Sequence, residues 1–141
     1  MIRLLIADDN EVIRFGLEAL LRAEPDITVI GAAADGAAAV AMALADPPDV
    51  VLMDLSMPAL DGMAATREIA CAAPSVRVLV LTSHSHESVV REAFAAAAHG
   101  YLLKDSPPHT VPHAIRAVHR GETLVDPLLG GVPGATPRGD G

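Results

Sequence analysis

Short apolar runs and helical stretches follow one another five times along this chain, and that alternation restricts the fold more than any other feature. RLLIA (3–7), ITVIGAA (27–33), VVLMD (50–54), VRVLVLT (76–82) and YLLK (101–104) read as strands. They are continuous apolar runs, so both faces of their sheet must be covered. Between and after them lie five helix candidates: 10–23, 35–46, 62–73, a stretch around 87–98, and 111–121. In the first, Ile13, Leu17, Leu20 and Leu21 share a face behind the N-cap candidate Asn10. Pro47-Pro48, Pro74 and Gly100 supply stops. Strand–helix alternation of this kind implies a parallel sheet with helices on both sides. The expected fold is α/β, a doubly wound (βα)5 sandwich with strand order 2-1-3-4-5.

A chain of 141 residues suits one domain. Hydrophobic residues make up 51% and charged residues 20%, a globular balance. No apolar run approaches the ~20 residues that cross a bilayer. MIRLLIADDN lacks the cleavage site of a secretory leader, so a cytoplasmic protein is expected. The single cysteine, Cys71, sits among alanines and reads as a packed thiol. A net charge of −8 argues against a grip on nucleic acid by this chain itself. After Leu124 the composition changes: residues 125–141 hold five glycines and three prolines in seventeen positions. The domain is therefore expected over 1–124, and 125–141 as a flexible linker or tail without a sixth element.

In an open parallel sheet, ligands bind beyond the carboxyl ends of the strands, where the strand order reverses. The residues at those ends are Asp8 and Asp9, Asp54, Thr82 and Ser83, and Lys104. With strands one and three adjacent, three carboxylates converge beside a hydroxyl and an ammonium. Two carboxylates ~4 Å apart repel by ~4 kcal/mol at an effective dielectric near 20. Three demand a cation or raised pKa values. Lys104 offsets one charge, and an all-oxygen site suits Mg²⁺ for the rest. Carboxylate, hydroxyl and lysine around Mg²⁺ make a site for phosphoryl chemistry.

This set resembles the receiver (CheY-like, flavodoxin-like) domain of two-component response regulators. The resemblance covers residues 2–122 and rests on Asp8-Asp9, Asp54 in VVLMDLSMPALDG, Thr82-Ser83 and Lys104. RFGLEALL, DLSMPALDG and GYLLKDSP look closest to regulators with a LuxR-type helix-turn-helix output domain. The resemblance implies that Asp54 accepts a phosphoryl group from a phosphohistidine on a sensor histidine kinase. It implies Asp9 as a direct Mg²⁺ ligand, Asp8 as a ligand through water, and the backbone carbonyl of Ser56 as a further ligand beside Asp54. Lys104 would pair with the phosphoryl oxygens. Thr82 would donate its hydroxyl to one of them, and Tyr101, the switch aromatic, would rotate inward as Thr82 moves. Asp61 is expected to cap the helix that follows Asp54. Where many receivers have proline after the strand-five lysine, this chain has Asp105.

Such a chain would be no enzyme beyond its own phosphorylation and dephosphorylation. A dehalogenase-type phosphatase also uses an aspartate, Mg²⁺ and a lysine, but needs a second aspartate two residues on, where Ser56 stands. A receiver that works without phosphorylation would have lost an acid, the threonine or the lysine, and none is lost. A homodimer is expected through helix 4, strand 5 and helix 5, or through helices 1 and 5. The output would be DNA-binding transcription control by a domain absent from these residues, or protein contacts made by the receiver alone. His84 and His86 lack a third metal ligand nearby, although His84 stands close enough to Thr82 to affect the acyl phosphate. His99, His109, His113 and His119 read as surface residues.

Overall fold

The computed structural model describes residues 1–57 and 59–126. Its strands are β1 (Ile2–Ala7), β2 (Ile27–Ala33), β3 (Val50–Met53), β4 (Arg77–Thr82), β5 (Gly100–Leu103) and β6 (Leu124–Val125). Its helices are α1 (Glu11–Arg22), α2 (Gly36–Ala45), α3 (Gly62–Ala72), α4 (Glu87–Ala95) and α5 (Thr110–His119). All pairings are parallel, in the order β2-β1-β3-β4-β5-β6. The first five strands take the expected order.

The sixth strand corrects the reading of the chain after Leu124. Two residues pair with β5, Leu124 opposite Gly100 and Val125 opposite Tyr101, and Asp126 just beyond is 1% exposed. So short a strand carries no periodicity of its own, and only an open edge beside it could reveal it. The rest of the expected tail, 127–141, lies outside the described residues.

Successive side chains on a strand point to opposite faces. Leu5, Val51, Met53, Val78, Val80 and Tyr101 face one layer, closed by Ala39 and Ala43 of α2, Ala65 and Ile69 of α3, and Val90 and Ala93 of α4. Leu4, Ile6, Leu52, Leu79 and Leu102 face the other, closed by Leu21 of α1 and Val111, Ile115 and Val118 of α5. This two-sided cover is why the strands read as unbroken apolar runs, each large buried side chain contributing about 1.5–3 kcal/mol.

Three helices begin on a side-chain cap. Asn10 accepts from Ile13 N at 3.1 Å, Asp35 from Ala38 N at 2.7 Å, and Asp61 from Ala64 N at 2.8 Å. The end of α4 departs from expectation. The helix stops at Ala95, and Ala97 takes the left-handed turn at φ 76°. Gly100 instead opens β5. A Cβ there would lie 2.7 Å from Leu79 Cδ1 and 3.0 Å from Val118 Cγ2, so the glycine lets α5 and β4 close over the strand.

Two surface assignments are also corrected. Cys71 is exposed, because Ala65 and Ile69 take the inward stripe of α3. His99 is half-buried between β4 and β5, and its Nδ1 accepts from Val78 N at 3.1 Å. Loss of solvent, with the charge of Arg77 nearby, holds the imidazole below its ordinary pKa. His109, His113 and His119 are exposed as expected.

Candidate functional site

The backbone places the carboxylates before any side chain is considered. Asp54 N donates to Ala7 O at 2.9 Å, and Asp8 N donates to Ala33 O at 3.0 Å. The sheet ladder therefore carries both residues to one edge, side by side. Asp8 is 2% exposed and Asp54 4%, whereas Asp9 stands at the open rim. One oxygen from each of Asp8, Asp9 and Asp54 lies within 4.8 Å of the others. The α3 N-terminus packs tightly under Asp54. A Cβ on Gly62 would sit 2.0 Å from Asp54 O, so only glycine fits there, and Gly62 N donates to Leu55 O at 3.0 Å.

Lys104 reaches in from the end of β5. Its backbone N donates to Thr82 O at 2.8 Å, and its Nζ lies 3.1 Å from Asp8 Oδ2 and 3.4 Å from Asp54 Oδ1. One ammonium serves two buried acids. Burial raises the pKa of Asp54, the charge of Asp8 raises it further, and Lys104 opposes both. The pocket holds more negative charge than the lysine balances. Its donors are carboxylate oxygens, so it fits a hard divalent cation such as Mg²⁺, and poorly fits a soft metal that prefers nitrogen or sulfur. Asp8 is fixed from behind: its Oδ1 accepts from Asn10 N at 2.9 Å, and Arg14 donates to its carbonyl at 2.8 Å.

The other expected residues line the same mouth. Thr82, 1% exposed, accepts from His84 N at 3.3 Å on its Oγ1. Ser56 N donates to Asp54 Oδ1 at 3.4 Å. Tyr101 already points inward. It is fully buried, and its hydroxyl donates to His84 O at 2.8 Å; burial pushes the phenol up to about 12. His84 is the residue that sequence reasoning undervalued. Its backbone links Thr82 to Tyr101, and its Nε2 lies 3.2 Å from Ser56 Oγ. The imidazole thus bridges the loops after β3 and β4 across the mouth. The signal was its spacing two residues past Thr82. Ser83 and His86 are exposed, and neither joins the acidic cluster among the described residues.

Comparison with known proteins places this geometry. The sequence pattern of the response regulator receiver domain matches residues 4–116. The chain belongs to that family. It is 43% identical over 131 residues to the transcriptional regulatory protein LiaR of Bacillus subtilis (strain 168), covering 93% of this chain and 62% of LiaR. It therefore spans about six tenths of the length of that curated relative. Among solved structures, a LuxR-family two-component response regulator from Aurantimonas sp. SI85-9A1 superposes with a TM-score of 0.89 at 32% identity, with 94% of each chain covered. The isolated receiver domain of RcsB from Salmonella enterica serovar Typhimurium, determined with the phosphomimetic BeF3-, gives a TM-score of 0.81 at 26% identity, covering 88% of this chain and 92% of that one. The expected likeness to LuxR-type regulators is borne out. No described helix is long and apolar enough to cross a membrane.

Proposed function

We propose that this receiver domain takes a phosphoryl group on Asp54 from a phosphohistidine of a sensor kinase. The observation that carries the reading is one lysine held between two buried carboxylates from different strands, with a third acid within 4.8 Å. An oxygen of Asp54 bonds to phosphorus as the phosphorus–nitrogen bond of the donor breaks, and the electron pair leaves with the imidazole. Lys104 then pairs with the phosphoryl oxygens, and Thr82 donates its hydroxyl to one of them. Asp9 would hold Mg²⁺ directly, Asp8 through water, with Asp54 and the backbone carbonyl of Ser56 completing the protein ligands. The ion's contribution would be to neutralise charge on the transferred group. The chain would catalyse only its own phosphorylation and dephosphorylation. Thr82 shares His84 with Tyr101, so a pull on the threonine reaches the aromatic through one residue.

The output is read as transcription control through a DNA-binding domain outside these 141 residues, as the LuxR-family relatives suggest. The receiver acting alone through protein contacts is the second reading. For a homodimer, α1 with α5 is favoured over α4, β5 and α5. Val12 and Phe15 on α1 are 80% and 60% exposed, whereas Val90 of α4 is buried in the core. Between α1 and α5, Ile13, Leu17, Leu20 and Val111 line a cavity of about 470 Å³.

Incubation with Mg²⁺ and acetyl phosphate, read by intact mass beside Asp54→Asn, tests the acceptor and the metal together. One added phosphoryl group on the parent only, lost with a chelator, is the expected result. No adduct, together with failure to bind beryllofluoride, would sink the reading.

A further inference from the structure

A third buried carboxylate near the site has no part in the phosphoryl chemistry above. Asp126 follows β6 and is 1% exposed, yet it stands outside the acidic cluster and its side chain meets the edge of β5. Its backbone N donates to Tyr101 O at 2.9 Å, continuing the parallel ladder that begins with Leu124 N to His99 O at 3.2 Å. In that register the next bond should run from Leu103 N to a backbone carbonyl of the neighbouring strand. It runs instead to Asp126 Oδ2, at 2.9 Å. The same oxygen accepts from the hydroxyl of Ser106. One carboxylate therefore replaces the end of a strand and ties down the turn after β5, whose own closure is Ser106 N to Leu103 O at 3.1 Å.

Lys104 lies between the two residues that Asp126 holds. On its other side, Lys104 N is bonded to Thr82 O. The root of the lysine is thus clamped from both neighbouring strands, by a carbonyl of β4 and by the carboxylate after β6. We infer that Asp126 is a positioning residue for Lys104, fixing the turn from which the ammonium reaches Asp8 and Asp54. The role rests on the proposed part of Lys104 in phosphoryl acceptance.

The test compares Asp126→Ala, Asp126→Asn and Ser106→Ala with the parent in the full chain, with Mg²⁺ and acetyl phosphate. Asp126→Ala is expected to slow phosphorylation at saturating donor about tenfold, since a small misplacement of a charge-stabilising group acts on the transition state. The donor concentration for half-maximal rate should change little. Asp126→Asn keeps an oxygen for Leu103 N and should recover most of the rate, and Ser106→Ala should fall between. Amide exchange of Leu103 and Lys104, and the sharpness of the Lys104 ammonium resonance, are followed by NMR without donor. Faster exchange and a broadened ammonium signal in Asp126→Ala are expected. Should Asp126→Ala fail to fold, the other two variants carry the same comparison. Parent-like rates with unchanged exchange would overturn the inference and leave Asp126 as a strand terminator. If the parent itself takes no phosphoryl group, the reading of Asp54 fails, and the NMR arm alone decides whether Asp126 positions Lys104.

Discussion

Replacing Asp54 with asparagine should make the metal-free protein more stable while abolishing its proposed chemistry. Lys104 Nζ at 3.4 Å attracts the Asp54 carboxylate by about 5 kcal/mol at an effective dielectric of 20. An oxygen of the buried Asp8 within 4.8 Å repels it by at least about 3.5 kcal/mol on the same scale, and Asp9, at the open rim, adds less because water screens it. The charges nearly cancel, and burying the carboxylate at 4% exposure, at a cost of about 1–3 kcal/mol, leaves Asp54 unfavourable. Asparagine keeps the shape and can still accept from Ser56 N, and Lys104 keeps its contact to Asp8 at 3.1 Å. Urea unfolding in chelator at pH 7 should therefore show Asp54→Asn more stable by about 2 kcal/mol. The pH dependence has a definite sign. The folded pKa of Asp54 lies above its unfolded value, so the parent loses stability as pH rises through the folded pKa. The gap between variant and parent should close on acidification below the unfolded value, where the parent carboxyl is protonated in both states. Mg²⁺ should raise the parent's stability far more than the variant's. A variant equal to or less stable than the parent at pH 7 without metal would refute the argument that this pocket stores repulsion.

Two further outcomes follow from the same geometry. His84→Ala removes the bridge to Ser56 Oγ at 3.2 Å and opens the mouth to water, so the acyl phosphate should hydrolyse several-fold faster; an unchanged decay rate of the phosphorylated protein would rule out a role for the imidazole. His99 must be neutral at Nδ1 to accept from Val78 N, and its folded pKa is depressed, so stability should fall as pH drops from the ordinary imidazole value through the folded one. The slope is at most about 1.4 kcal/mol per pH unit, and urea titrations of the parent beside His99→Asn should show it only in the parent.

Much of the site was legible because its residues end strands that declare themselves. Asp8, Asp54, Thr82 and Lys104 each close an apolar run, and an open parallel sheet brings such ends to one edge. The caps at Asn10 and Asp61 were equally local, since a side chain three residues ahead of an amide needs no tertiary partner. Ala97 shows the opposite case. Gly100 looked like the residue to end α4, yet an alanine takes the left-handed turn, because Gly100 is needed where α5 closes over the sheet.

By itself, the sequence determined the five-fold alternation, the two-sided burial of the strands and the order in which acids, hydroxyl and lysine arrive. These follow from local periodicity and from the free energy of covering apolar faces. Tertiary structure decided the rest. It set which carboxylates share one ammonium, how His84 comes to span Ser56 and Tyr101, and why a half-buried imidazole at position 99 must stay neutral. It also made a sixth strand of two residues that no pattern announces, ended by a carboxylate standing in for a carbonyl. Those features depend on distances between residues far apart in the chain, and a pattern of neighbours along the sequence carries no record of them.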